Sequence, residues 1–121
     1  MRLLQVFIGL TLLLITLSAK ATTFDENMCL AYGKTAANIS IVVATGATYA
    51  DLLKLLNNKD FHAQPKDVQE LIKATAKFLT STGAGNGPEY NFQGATDFCI
   101  RVGGDVPTMT HYILKALGTE I

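Results

Sequence analysis

Two cysteines, Cys29 and Cys99, are the only ones in this chain, and whether they can bond constrains its fold more than any other feature. In a reducing cytosol such a pair is expected as buried free thiols. In an oxidising compartment an even count favours a disulfide. The first residues decide between the two. Arg2 is followed by an apolar run from Leu3 to Leu17, broken only by Gln5, Gly9, Thr11 and Thr16, and then by Ser18-Ala19-Lys20-Ala21. A charged start, an apolar core and Ala-x-Ala-like small residues describe a cleaved secretory signal peptide. A membrane anchor needs about 20 apolar residues, and this run is shorter and ends in cleavage-type residues. Residues 1–21 are therefore expected to be removed and 22–121 to form a single exported domain. Cys29 and Cys99 are expected to pair there. In the chain-entropy account a bond closing so long a loop stabilises the fold by roughly 4 kcal/mol. That is a large share of the roughly 5–15 kcal/mol that holds a domain together.

Charge narrows the function. Ten basic and ten acidic residues balance in the full chain, and removing Arg2 and Lys20 leaves eight basic against ten acidic. The lysines are dispersed, with no basic stripe of the kind nucleic-acid binders carry. Charge-driven membrane binding is disfavoured for the same reason. The part after residue 21 has no long apolar run, so no membrane association is expected after signal cleavage.

Periodicity predicts an all-α fold, a small bundle of four to five helices stapled by one disulfide. Over 25–45, Cys29, Tyr32, Ala36, Ile39 and Val43 recur at spacings of three and four, one face of a helix. Gly33 inside it costs about 1 kcal/mol against alanine but permits a neighbour to pack closely. Gly46 closes this helix. The segment "ISIVV" within it also reads as a strand. Thr48 and Asp51 have the spacing of a capping box for a second helix, packed by Leu52, Leu53, Leu55 and Leu56 and ended by "NNKD". Pro65 suits the first turn of a third, with a buried stripe of Val68, Leu71, Ile72, Thr75 and Leu79 and with Phe78 beside it. Lys66, Asp67, Glu70, Lys73 and Lys77 fall mostly off that stripe, and Gly83 suits a left-handed cap after it. Phe92, Ala95, Cys99 and Val102 mark a fourth helix ended by Gly103-Gly104. Asp105 and Pro107 start a last one carrying Met109, Ile113, Ala116 and Leu117.

The stretch "LTSTGAGNGPEYNF", 79–92, is the least ordinary. It is not a phosphate cradle: no strand precedes it and no Gly-Lys-Ser/Thr closes it. A dinucleotide fingerprint would need a glycine where Pro88 stands. It reads as a loop between helices, and connections of this length are uncommon unless functional or disordered. Pro88 restricts its backbone, and Tyr90 and Phe92 supply groups that can pin its base. Partner contact and a slack connection both remain open.

Nothing points to catalysis. Gly-x-Ser-x-Gly, His-Glu-x-x-His and a close cysteine–histidine pair are missing from the sequence. A metal site would need more ligands than Cys29, Cys99, His62 and His111, which have no recognisable spacing. The chain is read as a non-enzyme without metal or cofactor.

The exported signal, the early cysteine in "ENMCLAY", the helix ending in "KATAKFLTST", the stretch "GAGNGPEYN" and the second cysteine in "ATDFCIRV" together resemble the small periplasmic immunity proteins of type VI secretion systems, in particular the amidase-immunity group. The resemblance spans roughly Cys29 to Tyr112. It implies a periplasmic protein, often a homodimer, that binds a cognate secreted peptidoglycan hydrolase, an amidase or muramidase, and blocks its active-site cleft. Carried over by position, the implied contacts are Asn86, Pro88, Glu89 and Tyr90. The competing expectation is a small periplasmic chaperone or stress protein of the envelope, whose sign would be a denser acidic composition. A structural subunit of an envelope assembly is a third.

Overall fold

The computed structural model describes residues 21–82 and 86–118. The signal-peptide segment up to Lys20 lies outside the described residues, as do Gly83 with its expected cap and Gly85. Among the described residues six helices follow one another: α1 (Glu26–Ala44), α2 (Tyr49–Leu56), α3 (Lys59–His62), α4 (Lys66–Thr82), α5 (Gly87–Arg101) and α6 (Val106–Ala116). The fold is all-α, as expected, with one helix more than the four to five anticipated. The addition is α3, a single turn that Asn58 starts by accepting from Phe61 N at 2.9 Å. "NNKD" therefore joins two helices rather than ending one.

Cys29, Tyr32, Ala36, Ile39 and Val43, the face anticipated on α1, are all buried. "ISIVV" is helical. Its β-branched residues disfavour a helix only slightly, and burial of that face outweighs the difference. Asp25 caps the start by accepting from Met28 N, and Gly46 leaves with a φ of +96°. The capping box of α2 is complete, with Asp51 N donating to Thr48 Oγ1 and Thr48 N donating to Asp51 Oδ2. Of its four leucines only Leu52 is buried; Leu56 is half-buried, and Leu53 and Leu55 are exposed. On α4 the whole predicted stripe is buried, with Phe78 at its edge.

The helices pack as two pairs. α1 lies against α5 and α4 against α6, while α1 also touches α4. Cys29 and Cys99 are bonded, their Cα atoms 5.5 Å apart, which closes α1 on the end of α5. One core cluster surrounds that bond, with Tyr32, Leu71, Ile72, Val106 and Met109 in it. A second holds Ile39, Val43, Leu52, Ala76 and Leu79. Burying each large apolar side chain contributes about 1.5–3 kcal/mol.

At Gly33 α1 and α5 meet closely. A Cβ there would lie 1.9 Å from Thr96 Oγ1 and 2.8 Å from the Phe92 carbonyl oxygen. The close approach expected of this glycine is therefore present. Among the described residues Thr96 Oγ1 is buried without a hydrogen-bond partner, one cost of that approach.

The clearest departure from expectation is at 86–92. Pro88, Glu89 and Tyr90 do not stand on a loop; they form the first turn of α5, which begins at Gly87. Proline is tolerated there because its missing N–H has no helical partner at that position. Gly87 enters with a φ of +87°, which glycine adopts without strain.

Candidate functional site

The start of α5 is fastened along α1. Asn91 Nδ2 donates to Ser40 Oγ at 2.8 Å, and Ser40 Oγ in turn donates to the Ala36 carbonyl at 2.9 Å. Further along, Thr96 closes on Gly33, and Cys99 is bonded to Cys29. Three successive fastenings thus set the direction of α5. Its first turn projects beyond them. Asn86, Pro88, Glu89 and Tyr90 are all exposed, Tyr90 by 62%. Glu89 lies in the first turn, where a carboxylate suits the helix dipole. The four residues carried over from the resemblance are therefore brought together, on a helix end.

Beside them runs an open cleft of about 450 Å³ between α5 and the α4–α6 pair, with α1 as its floor. Asn86 and Tyr90 stand on its rim, and Phe78, Phe98 and Tyr112 form its walls. The Phe98 and Tyr112 rings meet edge to face at 6.4 Å between centroids. Gly94 opens onto this space, since a Cβ there would meet nothing within 4 Å. Where α4 meets that floor, Thr75 Oγ1 donates to the Leu71 carbonyl at 2.8 Å and shares a 2.7 Å hydrogen bond with the Tyr32 hydroxyl. With the Thr75 proton so engaged, the phenol donates. Burial pushes Tyr32 up to about 12, so it stays neutral at physiological pH.

None of the described residues lining the cleft carries a charge. Such a surface takes an uncharged, largely apolar group and orients it by amide and hydroxyl contacts at the rim and floor. Neither histidine is among the described residues that line the cleft. His62 is exposed, its Nε2 2.8 Å from Asn57 Oδ1, and His111 is exposed beside Tyr112. Among the described residues no three histidine, cysteine or acidic side chains gather as a metal site.

No protein family, curated protein or solved structure matches this chain.

The aromatic wall is what sequence reasoning missed. Helical spacing places Tyr32 in the α1 core but gives Phe98 and Tyr112 no place in the apolar stripes. The available signal was weak: Phe98 precedes Cys99 on the helix and faces differently from it. Tyr112 lies next to Ile113 on α6, the helix that packs against α4.

Proposed function

We propose that this chain is an exported inhibitor of the immunity-protein kind, which binds a secreted peptidoglycan hydrolase in the periplasm and occludes its cleft. Residues 1–21 act as the signal peptide, and the processed protein works as a homodimer. The observation that carries the reading is Tyr90, a large aromatic side chain exposed by 62% on a helix end that is fastened at three points behind it. Ordering a loop on binding subtracts from affinity, whereas a helix end already in place avoids that cost. Tyrosine is enriched among interface anchors, and Glu89 beside it supplies a carboxylate for basic or donor groups lining a hydrolase cleft. The uncharged cleft next to Tyr90 accommodates an apolar side chain returned by the partner.

The disulfide suits an oxidising compartment. No helix among the described residues is long and apolar enough to cross a membrane. The inhibitor reading is tested by expressing a peptidoglycan amidase, and separately a muramidase, in the periplasm with and without this protein. Survival of the cells, matched by inhibition of the purified hydrolase at micromolar concentrations, is the expected result. Failure to inhibit hydrolases of either class would reject it.

A further inference from the structure

Thr22 is 2% exposed, whereas Ala21 immediately before it is exposed. The Thr22 nitrogen donates to Asp67 Oδ2 at 2.8 Å, and the Thr22 hydroxyl donates to Asp67 Oδ1 at 2.8 Å. One carboxylate thus takes both groups. The Thr22 carbonyl accepts from Val106 N at 3.0 Å, and Phe24 N donates to the Gly104 carbonyl at 2.8 Å. Gly104 has a φ of +70°, and a Cβ on it would lie 1.9 Å from the Phe24 carbonyl oxygen, so the clasp requires glycine there. Residues 22–24 have no helix of their own and are stitched to the first turn of α4 and the α5–α6 turn. The step from exposed to buried falls on the peptide bond that Ala19-Lys20-Ala21 marks for cutting.

We propose that hydrolysis of the Ala21–Thr22 bond turns this clasp into an ion pair, with the new α-ammonium of Thr22 held by Asp67. The proposal rests on the export reading above. Water adds across the C–N bond, leaving Ala21 as a carboxylate and the Thr22 nitrogen as an ammonium, with a signal peptidase as catalyst. An α-amine titrates near 7.7–8.0, about a unit above neutrality, so it is mostly charged at pH 7. The amide on this carboxylate is already a charge-assisted bond through its acceptor, and an ammonium in its place adds the attraction of opposite charges in contact. The remaining ammonium protons face the side where Ala21 lay. That side is open to water, which limits the desolvation cost. The burial of Thr22 also sets a condition: the peptidase must reach the residue after the cut, so the clasp is open when the bond is cut and re-forms afterwards as the ion pair. Processing then strengthens the contact that closes the N-terminal end over the disulfide-centred core.

The chemistry of an amino-terminal threonine supplies the test. Periodate splits its 1,2-amino alcohol between Cα and Cβ, releasing acetaldehyde and ammonia and leaving a glyoxylyl end; internal threonines do not react. Protein recovered from the periplasm is treated native and in denaturant and read by mass spectrometry. In denaturant the reaction should be complete. The native parent should react at least about tenfold more slowly than native Asp67→Asn, the factor that about 1.4 kcal/mol of protection gives. Leu52→Ala, in the second core cluster away from the clasp, controls for general loosening and should keep the slow rate. No reaction even in denaturant would overturn the cut at Ala21–Thr22, whereas finding the protein only in the cytosol, unprocessed, would overturn the export reading on which the proposal rests. Complete reaction in denaturant with equal native rates for parent and Asp67→Asn would overturn the clasp alone, as would a Leu52→Ala rate matching that of Asp67→Asn.

Discussion

Gly33 decides how near α5 can come to α1. In an exposed helix interior, glycine to alanine gains about 1 kcal/mol of helix propensity. Here the added methyl would stand 1.9 Å from Thr96 Oγ1 and 2.8 Å from a backbone carbonyl that cannot swing aside. Overpacking of this kind costs about 1–3 kcal/mol, so Gly33→Ala is expected to destabilise the protein despite its propensity, read as a lower urea midpoint. A midpoint at or above that of the parent would show that the helices part without cost. Tyr32 is the second decisive residue. Its ordinary value is 10.0 and its folded value about 12, so the folded state holds the phenol proton more tightly than the unfolded chain. The stability this contributes is complete below pH 10 and is lost as pH rises from about 10 to about 12. An alkaline titration followed by phenolate absorbance should show a late component that appears with unfolding and is missing in Tyr32→Phe. Coincidence of parent and variant after allowing for one fewer tyrosine, with no late step, would contradict it.

At the scale of elements, α5 does two things with one sequence. Its inner face closes on α1 through Asn91, Thr96 and Cys99, and its first turn is exposed at the rim of the cleft. Glu89→Ala and Tyr90→Ala should therefore separate binding from folding. Exposed substitutions usually change stability by under about 0.5 kcal/mol, whereas losing a central interface anchor costs about 2 kcal/mol or more. Melting and hydrolase inhibition measured on the same variants should show unchanged midpoints and weakened inhibition. A double variant that inhibits as well as the parent would move the contact surface elsewhere, first to the polar face of α4 around Lys66, Glu70, Lys73 and Lys77. The early start of α5 was not legible in the sequence. Gly87 and Pro88 are both residues that end helices when they stand inside one. They become compatible with helix only as its first residues, and it is docking of Asn91 and Phe92 on α1 that makes them so.

For the whole molecule, the question is how a small bundle gains enough burial. A chain of this size folding alone buries a limited fraction of its apolar surface. The disulfide supplies part of the shortfall. Association would supply more, and Leu30 and Ile41 on α1, Ile100 on α5 and Leu55 on α2 are exposed apolar side chains available for it. Light scattering of the processed protein at micromolar concentration is expected to report twice the processed chain's mass. A single-chain mass across that range would remove the dimer and leave the inhibitor reading in place.

Local pattern was sufficient for much of this. The spacing of Cys29, Tyr32, Ala36, Ile39 and Val43 determined a helix and its buried face, as did the stripe from Val68 to Leu79 on α4. Thr48 with Asp51 determined a helix start, because a cap is made by residues three apart and needs no distant partner. What depended on contacts between distant residues was left to the tertiary structure. The first turn of α5, the aromatic cleft built from Phe78, Phe98 and Tyr112, and the hold of Asp67 on Thr22 each bring together residues that no periodicity relates. Those two residues lie 45 positions apart, and to the sequence Asp67 was only a charge on a helix surface. Side-chain spacing reports which face of an element is apolar; which faces meet, and what polar group is trapped between them, is settled only when the elements pack.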